Sequence, residues 1–369
     1  MGGMETTGRM TCGRLGSWEG HPVGCVGYAD DMGLSLFDWR GGFPLEPLFH
    51  LPPLPGAIPT SLSLSSSALY VGSSSGMLQR WAFPSVASVY GASERGEEEE
   101  AAGEEQGSSI HERITLGGMA YDVTPNGSPV NATAETREGS RVCVASAGGA
   151  VGVLDVARME DGVVEEVRVD HEISVMMAGG TDLVYVGGEG GLGGYDLRAG
   201  GGGGMVQMFE GAGNVSAGLV LGLLGLGAEH QVGVGTADGF VKVFDVRSPS
   251  GGPLLGCEYP RHGGRVGCLA WDGGEVWSAS GGVVKSSKAT YSIASGGGGG
   301  IVDLWYDSAY RSLVGVGGGG VYVLDHSSMS CRVGQAVDEV RLVGRPGEKG
   351  RRTREAKKGR KGRKGRKKD

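Results

Sequence analysis

A short pattern that recurs along the chain constrains its fold more than any other feature. Its clearest copy, Val232–Arg247, reads VGVGTADGFVKVFDVR: a strand of small residues, a turn carrying Asp238-Gly239, and a strand in which apolar and polar residues alternate. Such alternation predicts a half-buried β-strand, and Asp-Gly between two runs of this kind predicts a hairpin. The pattern returns at roughly even intervals, which indicates a repeat architecture built from β-hairpins.

Seven copies of the pattern can be placed along the 369 residues. The last strands of the copies end near residues 38, 81, 155, 196, 245, 285 and 325. A spacing of about 40–45 residues is typical of β-propeller blades. We therefore predict an all-β fold, a seven-bladed β-propeller with four-stranded blades. Six blades or an open array stay as alternatives, because the sixth copy matches the pattern poorly and the sequence does not show how the ring closes.

The copies also set the expected domain boundaries. We expect a flexible N-terminus over 1–17, the propeller over 18–335, and a basic disordered tail over 336–369. Two insertions are expected within the propeller, at about 92–113 and 124–140. Seven of the twelve residues at 94–105 are glutamates, which is typical of a solvated loop; an acidic docking segment is the alternative. The link at 43–59 is proline-rich and cannot form a central strand, because proline lacks the amide donor.

Charge divides the chain into two unequal parts. Residues 345–369 carry a net charge of +11 and the preceding 344 residues carry −19, which together give the overall −8. An acidic body is a poor surface for nucleic acid, so any contact with RNA or a nuclear import factor is expected from the tail. Nuclear or nucleolar targeting, contact with ribosomal RNA, and a tail that is only solvated all stay open.

Several function classes are disfavoured by what the sequence lacks. The six cysteines are scattered without a Cys-x-x-Cys pair and no signal peptide is apparent, which favours reduced thiols in a cytoplasmic protein. No run approaches 18 apolar residues, so no membrane span is expected. No metal-ligand spacing and no phosphate-binding loop is present. We expect no cofactor, no metal, no membrane partner and a monomer that contacts proteins.

Three copies end in the same short motif, an aspartate followed two residues later by an arginine: Asp38-Trp39-Arg40, Asp196-Leu197-Arg198 and Asp245-Val246-Arg247. These endings resemble the WD-repeat family, whose last core strand ends in Trp-Asp and is often followed by x-Arg. In this chain Phe or Tyr precedes the aspartate. The resemblance extends over residues 18–330 and implies the propeller fold, although that fold serves many functions.

A longer succession, residues 171–271, resembles the diphthine methyl-esterase branch of the WD-repeat proteins. That branch has two characteristic strand pairs and then a Gly-Gly-x-Val-x-x-Leu-x-Trp segment. Val184–Gly188, Val234–Asp238 and Gly263–Trp271 occupy the matching places in that order. The resemblance implies hydrolysis of a methyl ester on a modified histidine of elongation factor 2, in diphthamide synthesis. A non-enzymatic scaffold in ribosome biogenesis and a ubiquitin-ligase substrate receptor are the alternatives.

The candidate catalytic residues follow from what ester hydrolysis needs. The reaction requires an activated water or a nucleophile, together with an oxyanion site. No Gly-x-Ser-x-Gly elbow is present, which favours a water activated by a general base. His171 and Glu172 form the candidate pair, because a histidine beside a carboxylate can act as a base near neutral pH. A hydrogen bond between blades is the alternative role of His171.

Three other residues are candidate binding groups. His262 precedes the Gly-Gly segment and has the same two interpretations as His171. Arg198 and Arg247 follow strand-ending aspartates, and each either stabilises its blade or docks the propeller on a ubiquitin-ligase adaptor. We expect Asp238 to be a structural acid of its turn.

Overall fold

Strands provide nearly all of the regular secondary structure in the described chain. The computed structural model describes residues 10–29, 33–38, 47–52, 56–85, 118–124, 127–136, 139–179, 182–198, 204–221, 230–248, 250, 252–254, 259–293, 300–309, 311–317 and 320–325. These residues form 26 strands and one short 3₁₀ helix, Val156–Asp161. The strands assemble into seven antiparallel sheets, each made of consecutive strands, so the fold is a seven-bladed all-β propeller.

The first four sheets each contain four strands in chain order, from the centre of the ring outwards. Blade 1 contains β1 (Met10–Trp18), β2 (His21–Tyr28), β3 (Leu34–Asp38) and β4 (Pro47–Leu51). Blade 2 contains β5 (Pro59–Leu64), β6 (Ala68–Ser73), β7 (Met77–Ala82) and β8 (Gly118–Asp122). Blade 3 contains β9 (Val130–Glu135), β10 (Arg141–Ser146), β11 (Ala150–Asp155) and β12 (Glu165–Arg168). Blade 4 contains β13 (Ile173–Ala178), β14 (Leu183–Gly188), β15 (Gly191–Asp196) and β16 (Met205–Phe209).

The last three sheets follow the same order, and two of them show three strands within the described residues. Blade 5 contains β17 (Val215–Leu221), β18 (Gln231–Thr236) and β19 (Val241–Asp245). Blade 6 contains β20 (Cys268–Trp271), β21 (Val276–Ser280), β22 (Val283–Lys285) and β23 (Thr290–Ser292). Blade 7 contains β24 (Ile301–Asp307), β25 (Ser312–Gly317) and β26 (Gly320–Asp325).

The ring closes between the first strands of blades 7 and 1. Each first strand contacts the first strand of the following blade, and β24 contacts β1 in the same way. At this closure the Leu15 amide donates to Asp303 Oδ2 over 2.7 Å, and Arg14 lies 3.9 Å from the same carboxylate. Burial raises the pKa of Asp303. The closed ring of seven excludes both the six-bladed ring and the open array.

The hydrophobic core is divided into seven clusters, one at each interface between neighbouring blades. The cluster that joins blades 7 and 1 includes Val314 and Val316 on one side and Leu15 and Val26 on the other. Because each blade packs on both sides, its middle strands are buried on both faces. Phe244, for example, is fully buried although the alternating pattern predicted a half-buried strand.

The glycines of the second strands allow the blades to approach closely. A Cβ added to Gly187 would lie 2.6 Å from Val215 of the next blade, and Gly235 lies equally tightly against Val266. A side chain at either position would push the blades apart, because packed interiors tolerate little extra volume. The small-residue strand in the repeat therefore reflects blade stacking.

Two expected boundaries differ from the structure. β1 begins at Met10, ahead of residue 18. The segment 124–140 contains β9, the first strand of blade 3, where a polar insertion was expected. Its polar residues Asn131, Thr133 and Glu135 line the central channel. Because these side chains face the channel, β9 does not show the apolar pattern of a buried strand. The acidic segment 94–105 and the basic tail lie outside the described residues.

The two ends of the ring carry different loops. We call the end of the ring at which the first strand of each blade begins the upper face. It carries the links that lead into the blades, such as 169–172 and 259–266, and the turns between second and third strands, such as 237–240. The lower face carries the turns that follow the first and third strands. The acidic segment connects Ala82 to Gly118, so both of its ends lie on the lower face.

Candidate functional site

A channel of about 980 Å³ lies at the centre of the ring and is lined by the first strands of all seven blades. Its polar groups include Asn131, Thr133 and Glu135 of blade 3, Glu172 before blade 4, and Arg265 before blade 6. The pKa of Glu135 is raised, chiefly by burial, although bonds from Ser65 and Tyr70 oppose this. The upper mouth of this channel and the loops around it are the candidate site.

Bulged residues near the upper mouth join neighbouring blades. In six of the seven first strands the pairing register shifts by one residue close to the upper face. In three of these strands the extra residue carries a side chain that bonds to the next blade: Thr60 Oγ1 donates to the Val130 carbonyl, and Asn131 Nδ2 to the Ile173 carbonyl over 3.0 Å. Ser216 Oγ likewise donates to the Val266 carbonyl over 2.8 Å. These bonds fix the shape of the mouth.

His171 and Glu172 lie on the upper face, immediately before β13. His171 is half-buried, with its ring against Gly188 and Gly190, and its Nε2 is buried without a hydrogen-bond partner. Glu172 is exposed and lines the channel. The structure thus places Glu172 at the channel and His171 next to it in the chain, and His171 Nε2 makes none of the hydrogen bonds between blades that were the alternative role. Their catalytic role stays a prediction.

His262 lies in the link from blade 5 to blade 6 and is almost completely buried, at 3% exposure. Its Nε2 is 2.8 Å from Ser278 Oγ on the second strand of blade 6. Burial, assisted by the charge of Lys285, lowers its pKa to about 4. The imidazole is therefore neutral at pH 7 and acts as an internal hydrogen-bonding group, which leaves its binding role a prediction.

Asp238 stabilises its own turn. Its carboxylate accepts a hydrogen bond from Thr236 Oγ1, and this bond is the main cause of its lowered pKa. Gly239 follows with φ +90°, a conformation that glycine adopts without strain. This arrangement agrees with the expected structural role of the acid.

Arg198 and Arg247 lie on the lower face, at the ends of the third strands of blades 4 and 5. Arg198 Nη2 is 2.7 Å from Asp196, and Arg247 Nη2 is 2.6 Å from Asp245. Each arginine also donates through Nε to the same carboxylate, so the pairing is two-pronged. These bonds lower the pKa of Asp196 and of Asp245 to about 2. The structure thus places both arginines at the opposite end of the ring from His171, Glu172 and His262.

Sequence reasoning missed a group of cations around one aromatic ring on the upper face of blades 5 and 6. The Arg261 guanidinium lies 4.5 Å from the centroid of the Phe240 ring, and Lys242 Nζ lies 5.8 Å from it. Lys285 Nζ donates to the Arg261 carbonyl, and Arg265 continues to the channel. We call Phe240, Lys242, Arg261, Arg265 and Lys285 the basic strip. Its members come from three chain segments, so no local pattern announces it.

The cysteine thiols of the described residues are not reactive groups. Cys12, Cys25, Cys143 and Cys268 are buried and free. Burial raises the pKa of Cys12 and of Cys143 to about 12, and it also raises the pKa of Cys25 and of Cys268. A thiol with so high a pKa is a poor nucleophile at pH 7.

Neither a metal-binding cluster nor a membrane-spanning helix is found among the described residues. They contain no group of three or more His, Cys, Asp or Glu side chains that could hold a metal ion. Within that same part of the chain, no helix has the length and apolar character needed to cross a membrane.

Comparisons with known proteins place the fold. The chain is similar to the crystal structure of the RRP9 WD40 repeats, with a TM-score of 0.57 and 14% identity over 84% of this chain and 87% of that one. The chain therefore has a WD40-type propeller fold. The computationally designed Ika8 protein is also similar, with a TM-score of 0.56 and 16% identity over 89% of this chain and 86% of that one.

The comparisons show the fold alone, because both identities are low. No protein-family model and no curated protein sequence matches the chain. The resemblance to the diphthine methyl-esterase branch therefore gains no support from them.

Proposed function

We propose that this propeller is a non-enzymatic scaffold that brings protein partners together. The observation that carries the proposal is how its polar side chains are used. His262 bonds to Ser278, Asp238 to Thr236, and Arg198 and Arg247 to their neighbouring aspartates. Groups that resembled catalytic or binding candidates thus hold the blades and turns in place, which favours a rigid platform.

The distribution of charge supports a role in an assembly that contains RNA. The body of the chain is acidic, whereas residues 345–369 carry a net charge of +11. A protein of this kind can bind partners through the propeller and contact RNA through the tail, with a strong dependence on salt. We propose ribosome biogenesis as the setting, with the nucleus or nucleolus as the location and the cytoplasm as the alternative.

Sedimentation tests the scaffold role. The tagged full chain, extracted from its own cells at low salt and crosslinked, is expected to sediment with complexes much larger than a monomer. Deletion of residues 345–369 removes the RNA-contacting part, so the remaining complexes should be lighter and insensitive to ribonuclease. Sedimentation of the intact chain as a monomer would reject the proposal.

Methyl-ester hydrolysis is the second candidate function. It is supported by the order of segments across residues 171–271 and by the position of His171 next to Glu172, which lines the channel. A histidine beside a carboxylate is a combination that can act as a general base towards water. Incubation with elongation factor 2 carrying the methyl-ester intermediate tests it. Methanol release that depends on His171 would replace the scaffold proposal, and no release would reject the esterase.

The exposed positions of Arg198 and Arg247 favour one kind of scaffold, a ubiquitin-ligase substrate receptor. Both arginines lie on the lower face of adjacent blades and are more than 60% exposed. Co-precipitation with the ligase adaptor tests this proposal. Arg247→Glu should abolish co-precipitation, and retention of the adaptor by that variant would reject it.

A further inference from the structure

We propose that the basic strip on the upper face binds an acidic peptide segment of a partner protein. This inference rests on the scaffold function and assigns its docking surface. The strip extends from Phe240, at the turn of blade 5, across Arg261 to Arg265 at the channel mouth.

The strip is held in position by bonds to uncharged groups. Arg261 Nε donates to the Asp238 carbonyl over 3.0 Å, and its guanidinium lies over the Phe240 ring. Lys285 Nζ donates to the Arg261 carbonyl, and Lys242 Nζ to the Gly211 carbonyl, both over 2.7 Å. A carbonyl accepts a hydrogen bond without neutralising the cation. The positive charge of the strip is therefore both fixed and available to a ligand.

Exposed arginines elsewhere in the described chain are neutralised by carboxylates, but the cations of the basic strip are not. Within the described part of the chain, Lys242, Arg261, Arg265 and Lys285 form no ion pair within 4.0 Å, although exposed arginines elsewhere, such as Arg198 and Arg247, do. The Asp238 carboxylate interacts with Lys242 and Arg261 only over a longer range, and its direct hydrogen bond comes from Thr236. Fixed, unpaired cations in an otherwise acidic body favour an anionic ligand at this place.

A peptide fits the surroundings better than a nucleic acid. Exposed acids occupy the adjacent sector of the upper face, at Asp170, Glu172, Glu189 and Glu210. A long phosphate backbone would meet these charges, whereas a short acidic segment can end at the strip. Phe240 is 37% exposed and provides an apolar contact for a side chain of the peptide. The strip thus combines charge with one aromatic anchor.

The ligand is expected to come from another protein. The chain has its own glutamate-rich segment at 94–105, but both ends of that connection, Ala82 and Gly118, lie on the lower face of blade 2. The strip lies on the upper face of blades 5 and 6. This placement disfavours binding of the segment within its own molecule.

Photocrosslinking of the full chain tests the proposal. The probe is an oligoglutamate peptide with a benzophenone group, and crosslinked sites are mapped by mass spectrometry, which separates the strip from the basic tail. Crosslinks are expected at 238–242 and 259–267, with a yield that falls as salt rises. In the double variant Arg261→Gln, Arg265→Gln the apparent affinity at these sites should fall roughly tenfold, since exposed charge pairs contribute modestly and add.

Matched variants complete the test. Arg168→Gln removes one exposed arginine of blade 3 and should leave the affinity at the strip unchanged. Phe240→Ala should weaken binding roughly threefold, because it removes the ring on which Arg261 lies. Arg265→Gln alone, which affects no described hydrogen bond, keeps the test valid if the double variant does not fold. An unchanged midpoint of thermal unfolding confirms that each variant is intact.

Three results would overturn the proposal. The first is equal crosslinking of the double variant and the wild type. The second is stronger crosslinking of oligouridine RNA than of oligoglutamate at the strip. The third is self-association through residues 94–105 of a second copy. Loss of peptide binding while the chain still sediments in large complexes would reject the strip alone and leave the scaffold function standing.

Discussion

The link that leads into blade 4 and the link that leads into blade 6 each contain a histidine, but only one of the two histidines has a hydrogen-bond partner at Nε2. His262, before blade 6, is buried and bonded to Ser278, whereas His171, before blade 4, is half-buried with Nε2 unpaired. The backbone register of the two links explains the difference. The His262 amide donates to the Gly239 carbonyl, whereas in the link before blade 4 the corresponding bond runs from Val169 to Gly149, so His171 lies two residues further along its link. Its ring therefore packs against Gly188 and Gly190 and does not reach the position that Ser278 occupies in blade 6.

Charge also separates the two links. The link into blade 4 is flanked by Asp170, Glu172 and Glu189, while the link into blade 6 carries Arg261 and Arg265. The comparison teaches that a histidine at the start of a blade does not by itself indicate a role. Its place in the link decides whether the ring nitrogen reaches a hydrogen-bond partner, and for His262 that partner is 16 residues away in the sequence.

Replacing each histidine by alanine is the strongest test of this contrast. His262→Ala should lower the free energy of unfolding by about 2–3 kcal/mol, because it leaves a cavity and removes a buried hydrogen bond. His171→Ala should cost less than about 1 kcal/mol, because it removes a nitrogen that is buried without a partner. Urea unfolding measures both values. Equal losses would show that the two links are equivalent.

The pH dependence of stability isolates the contribution of His262. Its folded pKa of about 4 lies below the ordinary value of 6.5, so between these values the unfolded chain binds a proton that the folded chain does not. The free energy of unfolding should therefore fall as pH drops from about 6.5 to about 4, by an amount on the order of 2 kcal/mol.

A His262→Gln variant is the control for that titration. It lacks the titrating group, so its stability should fall less steeply than that of the wild type over the same pH range. The difference between the two chains should narrow as pH falls. Parallel curves from urea unfolding at pH 7 and pH 4.5 would contradict the assignment.

Ser278→Ala makes a smaller change at the same link. It removes the hydroxyl that bonds to His262 and to the Lys285 carbonyl, and it leaves the imidazole in place. The expected loss is about 1 kcal/mol, because one buried hydrogen-bond partner disappears without a large cavity. Thermal unfolding measures it, and Val186→Ala gives the matched change in blade 4. A loss above 3 kcal/mol at Ser278 would indicate a larger network.

Much of the fold could be predicted from the sequence, because the repeat is local. The hairpin at 232–247 appears as β18 and β19, and the seven predicted copies correspond to the seven blades. The first strand of blade 3 was missed, because a strand that lines a solvent-filled channel carries polar residues and resembles an insertion.

Less of the candidate site could be predicted. Asp238 was correctly expected to be a turn acid, since its partner Thr236 is two residues away. The partner of His262 is 16 residues away, and the basic strip joins three segments. The catalytic role of His171 and Glu172 and the binding roles of Arg198 and Arg247 stay predictions.

The sequence by itself predicted most of the strands, their hairpin turns and seven copies of the repeat, because these depend on contacts between residues close in the chain. Tertiary structure alone decided how the ring closes, through Asp303 and Leu15, which are 288 residues apart. It also decided which histidine is bonded and which cations meet on the upper face. Burial and hydrogen bonding set those properties, and both depend on neighbours that only the closed ring brings together.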